Sequence, residues 1–75
     1  MKELIEYIAC SLVENPAQVS VKETKRERST ILELSVAPDD MGKVIGKQGR
    51  IARSIRTVLK AYATKNNEKA SLDIV

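Results

Sequence analysis

Histidine, tryptophan and phenylalanine are absent from this 75-residue chain, which has one cysteine, two prolines, two tyrosines and three glycines. Without histidine, the side chain that most often moves protons at neutral pH is missing. Cys10 has no histidine to activate it and no second cysteine for a disulfide, a redox pair or a metal site. A lone cysteine also fits a reducing cytoplasm. No apolar run approaches the roughly 20 residues needed to cross a bilayer. Glu3 and Glu6 stand where a secretory signal would be basic and then apolar. These absences lead us to expect no enzyme, no cofactor, no metal and no membrane insertion, with a cytoplasmic location.

What is present suffices for one small domain. Hydrophobic residues make up 43% of the chain, too many for a disordered tail. At this length they can enclose only one modest core, so residues 1–75 are expected to form a single domain. A second copy or a partner would be a ready source of extra stability.

Charge is unevenly distributed. The net charge is +3, yet Met1–Asp40 carries −3, Met41–Lys65 carries +7 with no acid, and the last ten residues carry −1. A concentrated positive field attracts polyanions and raises encounter rates.

Leu4, Ile5, Ile8, Ala9, Leu12 and Val13 recur at helical spacing, and Asn15-Pro16 ends that helix. Val19 and Val21 alternate with polar neighbours, as do Leu32, Leu34 and Val36 further on. With Lys25–Ser29 as a polar connector, these two runs read as a β-hairpin. Pro38-Asp39-Asp40 reopens helix, with an aspartate suited to the N-cap or first turn. This short helix stops at Gly46. A longer one spans about Arg50 to Lys65, with Ile51, Ile55, Val58, Leu59 and Tyr62 expected on the core side and Arg53, Arg56 and Lys60 opposite. Asn66-Asn67 breaks it, and Leu72 and Ile74 alternate in a closing strand. The expected class is α+β, in the order helix, strand, strand, helix, helix, strand.

The most informative stretch is Val44-Ile45-Gly46-Lys47-Gln48-Gly49-Arg50-Ile51. Two glycines bound a short turn between helices, and bare glycine lets a phosphodiester come close to the main chain. The helix that follows offers unpaired amides and a partial positive charge. Gly46 also suits a helix C-cap, whereas an N-cap at Gly49 would favour Ser, Thr, Asp or Asn. Lys47 and Gln48 project where no core claims them, suited to a phosphate and to a phosphate or base edge. Arg50 is the next phosphate contact. Lys43, a turn earlier, and Arg53 are candidates at the margin, each equally readable as a solvated surface cation. Arg56 and Lys60 read as the wet side of the helix. Val44 and Ile45 read as core or groove floor, Tyr62 as core, and Tyr7 and Cys10 as exposed.

In this pattern the chain resembles a KH domain of the prokaryotic (type II) arrangement, whose glycine clamp holds four nucleotides. At this length it is similar to the small bacterial single-KH proteins of the KhpA family. The resemblance implies a three-stranded sheet with helices packed on one face. It implies single-stranded RNA held at Gly46, Lys47, Gln48 and Gly49, with an aliphatic groove in place of the aromatic stacking platforms this chain lacks. The hairpin loop with Arg26 and Arg28 would flank that groove. It further implies an RNA chaperone or post-transcriptional regulator that forms a homodimer and pairs with a larger KH protein of the KhpB (Jag or EloR) type. That physiology is linked to cell elongation, division and peptidoglycan homeostasis.

The same residues bear on three other classes. Gly42-Lys43-Val44-Ile45-Gly46-Lys47 has three residues between its glycines and Gln48 after the lysine, so it is not a nucleotide-binding P-loop. A DNA-binding helix-turn-helix would need mixed polar readers on its second helix, where this chain has a plain basic stripe. A protein-interaction adaptor, with RNA binding supplied mainly by its partner, stays open.

Overall fold

Alternation and helical periodicity translate directly into the architecture of the computed structural model, which describes all residues from Met1 to Val75. Helix α1 (Lys2–Leu12) leads into a 3-10 turn at Pro16–Gln18. Strands β1 (Ser20–Arg26) and β2 (Ser29–Ser35) follow, then a second 3-10 turn at Pro38–Asp40, α2 (Met41–Ile45), α3 (Arg50–Lys65) and β3 (Lys69–Ile74). The sheet order is β1-β2-β3, with β1 antiparallel and β3 parallel to the central β2. Such a parallel neighbour requires a crossover, which the α2–α3 segment supplies.

One face of the sheet carries the core. Leu32 and Leu34 of β2 are fully buried, laterally matched with Leu72 and Ile74 of β3, and Leu34 also faces Val21 of β1. Ile5 and Ala9 of α1, Val44 of α2 and Ile55 and Leu59 of α3 cover them. The other face presents rows such as Lys22, Glu33 and Asp73, so the helices lie on one side only. Truncating a buried leucine here would cost about 2–5 kcal/mol, against a total of about 4–11 kcal/mol for a chain this small.

Four expectations need correction. The hairpin connector is only Glu27-Arg28, because Lys25 and Arg26 continue the ladder opposite Thr30 and Ser29. Charge does not end a strand whose side chains reach solvent. Leu12 is exposed, so the buried line of α1 reduces to Ile5 and Ala9, with Ile8 and Val13 packed at its margins. Val58 and Tyr62 are 47% and 45% exposed, because the line of α3 against the sheet is Ala52, Ile55, Leu59 and Ala63. Those alanines allow close approach, which turns the bulkier Val58 and Tyr62 outward.

Asp40 is the fourth. It makes no side-chain cap for α2. It is 1% exposed, and its two oxygens accept the N–H groups of Glu14 (3.2 Å) and Asn15 (3.1 Å), tying down the loop after α1. Lys43 Nζ lies 3.6 Å from Asp40 Oδ1 and 3.6 Å from Glu14 Oε1. Burial pushes the Asp40 pKa up, but the two backbone donors and the Lys43 ammonium outweigh it, holding the carboxyl below its ordinary 3.8.

The break at Asn66-Asn67 is a Schellman motif. Asn67 takes φ +57, Glu68 N–H donates to Ala63 O at 2.8 Å, and Asn67 N–H donates to Thr64 O at 3.0 Å.

Two stability predictions follow from buried polar groups. A carboxyl whose folded pKa is depressed contributes stability above its unfolded pKa and loses it as pH falls through the folded value. Asp40→Asn should therefore lower the melting temperature at pH 7, and the gap to wild type should narrow below the ordinary 3.8. Circular-dichroism melts across that range check it, and a constant gap would refute the linkage. Thr30 Oγ1 is buried with no hydrogen-bond partner, so Thr30→Val should raise unfolding free energy by about 1 kcal/mol in urea denaturation.

Candidate nucleic-acid interface

The α2–α3 elbow is built on a backbone shape that few residues adopt. Gly46 ends α2 at φ +75, and its N–H closes onto Gly42 O at 2.8 Å. A Cβ at residue 46 would lie 2.5 Å from Ile51 Cγ1 and 2.9 Å from Ile51 Cβ. The first turn of α3 thus packs directly on bare backbone. Gln48 and Gly49 then take φ +57 and +74, in the left-handed region. Gly49 N–H donates to Gly46 O at 3.1 Å, and Arg50 N–H donates to Lys47 O. None of these bonds uses the amide of Lys47 or Gln48.

The two glycines differ. Around a Cβ at Gly49 nothing lies within 4 Å, so the protein itself does not need that space. Only the left-handed backbone restricts the residue there. Lys47 and Gln48 are exposed at the apex, and α3 begins without a side-chain cap. An uncapped N-terminus leaves first-turn amides for an outside acceptor and carries a partial positive charge.

The sequence-predicted residues fall into three groups. Gly46, Lys47, Gln48, Gly49 and Arg50 come together in the elbow, with Ile45 beside it at 37% exposure. Arg53 is exposed one turn along α3. Lys43 is not free in the same way, since its ammonium sits between Asp40 and Glu14. Apart from an N-terminal contact with Glu3, those are the chain's only ion pairs. Lys47, Arg50 and Arg53 therefore carry unneutralised charge.

Arg56 and Lys60 are exposed, as expected, but they do not lie opposite the core. At 100° per residue, Arg53, Arg56 and Lys60 lie on one flank of the buried line of α3, and Ile51, Val58 and Tyr62 lie on the other. The basic flank borders the edge strand. Arg56 Nε donates to Leu72 O of β3 at 3.2 Å. A hollow of about 170 Å³ opens between α3 and β3, lined by Arg56, Leu59, Lys60, Ala70, Ser71 and Leu72. It has an aliphatic floor and two cations on its rim. Ala52 and Ala63 at helical spacing with Ile55 and Leu59 were the signal that would have set the helix rotation.

The two glycines predict different outcomes. Gly46→Ala should destabilise by about 1–3 kcal/mol, from the clash with Ile51 and the unfavourable φ together. Gly49→Ala should cost only about 1 kcal/mol, from φ alone. Urea denaturation of both variants checks this, and equal losses would remove the Ile51 contact as the cause.

Comparison with known proteins agrees with this geometry. The family model described as KhpA/KhpB, KH domain matches residues 2–74. The protein named RNA-binding protein KhpA from Clostridium perfringens is 61% identical over 75 residues, with all of both chains covered. Its counterpart from Clostridium acetobutylicum is 60% identical over the same span, again with full coverage of both. Among solved structures, Aquifex aeolicus Era bound to GDP and AlF4− superposes with a TM-score of 0.67 at 18% identity. Era in complex with MgGDPNP and nucleotides 1506–1542 of 16S ribosomal RNA gives 0.60 at 19%. The superpositions cover 97% of this chain but only 28% of the Era chains, and they speak to the fold alone. A mixed three-stranded sheet, a glycine elbow between two helices and a full-length family match lead to one conclusion: the chain belongs to the KhpA/KhpB family of KH domains.

Proposed function

We propose that this chain binds single-stranded RNA by its ribose-phosphate backbone at Gly46–Gly49. The observation that carries the reading is the solvent-open glycine elbow at the uncapped start of a 16-residue helix, flanked by cations that no acid neutralises. The relatives named RNA-binding protein KhpA support it. Gly46 and Gly49 give the strand access to the main chain. Lys47 and Arg50 pair with phosphates, Gln48 bonds a phosphate or a base edge, and Arg53 adds peripheral charge. Ile45 and the aliphatic floor between α3 and β3 receive bases. Lys43 contributes only by giving up contact with Asp40 and Glu14.

On the family resemblance, the same chain acts in the cytoplasm as an RNA chaperone or post-transcriptional regulator, as a single KH domain over residues 1–75. It works as a homodimer and with a larger KH protein of the KhpB (Jag or EloR) type, in processes tied to cell elongation, division and peptidoglycan homeostasis. One observation favours the adaptor reading as second choice: Val58 and Tyr62 form an exposed apolar pair one turn apart on the flank of α3 away from the basic residues. In that reading the partner supplies most of the RNA contact.

Lys47→Asp/Gln48→Asp should weaken binding of a labelled single-stranded RNA at least about tenfold, since each reversed contact is worth 1 kcal/mol or more. Its circular-dichroism melt should match wild type, because both side chains are exposed. Full retention of binding would remove the elbow from the site. With about three phosphates held, log K should fall with log salt at a slope of roughly −2. A slope near zero alone that steepens with partner supports the adaptor, and a stronger preference for duplex DNA overturns the RNA reading.

A further inference from the structure

The basic segment from Met41 to Lys65 contains no acid, so any counter-ion has to come from outside it. Two carboxylates do, and both meet at Lys43. Its ammonium lies 3.6 Å from Asp40 Oδ1 and 3.6 Å from Glu14 Oε1. The two acids are placed there in different ways. Asp40 precedes α2 on the same stretch of chain and is 1% exposed, so it is built into the fold. Glu14 belongs to the loop after α1. Its backbone N–H donates to Asp40 Oδ1 at 3.2 Å, and that of Asn15 donates to Oδ2 at 3.1 Å. One buried carboxylate thereby carries a second, exposed one to the cation nearest the start of the elbow.

The fold has little use for the Glu14 carboxylate itself. The loop is tied down through the backbone N–H, which any residue but proline supplies at that position. The only polar partner of the carboxylate is the Lys43 ammonium. Side-chain exposures of 78% for Glu14 and 42% for Lys43 leave the pair open to solvent, and an exposed pair of this kind adds little stability. Lys43 stands one turn before Gly46, about 5 Å along the axis of α2. Its flexible four-carbon stem therefore brings the ammonium within reach of a strand at the elbow. A carboxylate oxygen and a phosphate oxygen ask the same of an ammonium, a charge-assisted hydrogen bond. They compete for it.

We propose that Glu14 is an internal competitor of RNA: its carboxylate occupies the Lys43 ammonium in the free protein and has to be displaced before Lys43 takes a phosphate. Asp40, buried and held by its own backbone donors, stays in place through the exchange. Only the exposed half of the latch moves. This rests on the RNA-binding reading above, and it makes the loop after α1 part of what sets affinity at the elbow.

The test is a double-mutant cycle read by fluorescence anisotropy with a labelled random-sequence single-stranded RNA. Glu14→Gln should tighten binding about threefold, the worth of one exposed ion pair. It should also steepen the log–log salt slope by about 0.7, the increment for one further phosphate on a single strand. In a Lys43→Gln background the same substitution should change neither affinity nor slope. Glu33→Gln removes an equal charge from the open sheet face, where no ion pair holds it, and should bind as wild type does. The circular-dichroism melt of Glu14→Gln should match wild type, because the N–H that ties the loop remains. No tightening, equal tightening in both backgrounds, equal tightening by Glu33→Gln, or a markedly lowered melt would overturn the latch while leaving the elbow reading intact. Failure of wild type and every variant to bind the RNA would overturn both.

Discussion

The contact between Ile51 and the bare α-carbon of Gly46 is the constraint on which the candidate site depends. It lets the second helix of the pair begin against the end of the first with no side chain between them. The turn from Lys47 to Gly49 must then cross in three residues, which requires the left-handed angles at Gln48 and Gly49. Everything offered to solvent there follows from a steric fact inside the protein: exposed Lys47 and Gln48, an uncapped helix start, and Arg50 behind it. Gly46 serves the fold. Gly49 has empty space around it and is the glycine whose smallness the fold leaves unexplained.

Helix α3 divides the labour of the molecule along its length. Its line of Ala52, Ile55, Leu59 and Ala63 closes the core. One flank sets Arg56 and Lys60 beside the edge strand, and the other exposes Val58 and Tyr62. A polyanion and a protein surface can therefore be addressed from opposite flanks of the same helix without competing for one patch. The acidic groups that might have cancelled the positive field are occupied elsewhere. Asp40 and Glu14 hold Lys43 and the loop after α1, which keeps their charge away from the elbow.

Much of this was legible in the sequence, because local chemistry specifies it. The order of elements follows from hydrophobic period, and the stops at Gly46 and Asn66-Asn67 follow from backbone preference, whereas α1 already ends at Leu12, ahead of Asn15-Pro16. The elbow from Gly46 to Gly49 could be read for the same reason. What could not be read depends on partners distant in the chain. Asp40 looked like a cap for the helix beside it, but its donors lie 25 and 26 residues away. Lys43 looked free until the carboxylates of Asp40 and Glu14 claimed it. Arg56 is exposed as its charge implies, but its place beside the edge strand is hidden in the sequence, because bulky Val58 and Tyr62 mimic a core face. Rotation of a helix is set by where small residues permit close approach, and only packing against the sheet revealed that Ala52 and Ala63 do so.

Gln48 has one further consequence. A residue bearing a side chain in the left-handed region sits uphill by roughly 1 kcal/mol, and it is held there at the apex between two glycines. A glycine in its place would relax the loop into many shapes. The side chain narrows that ensemble, so conformational entropy is surrendered when the chain folds and not again at each encounter with a ligand. On the proposed RNA reading, an elbow set in this way meets an incoming strand with part of its ordering cost already met.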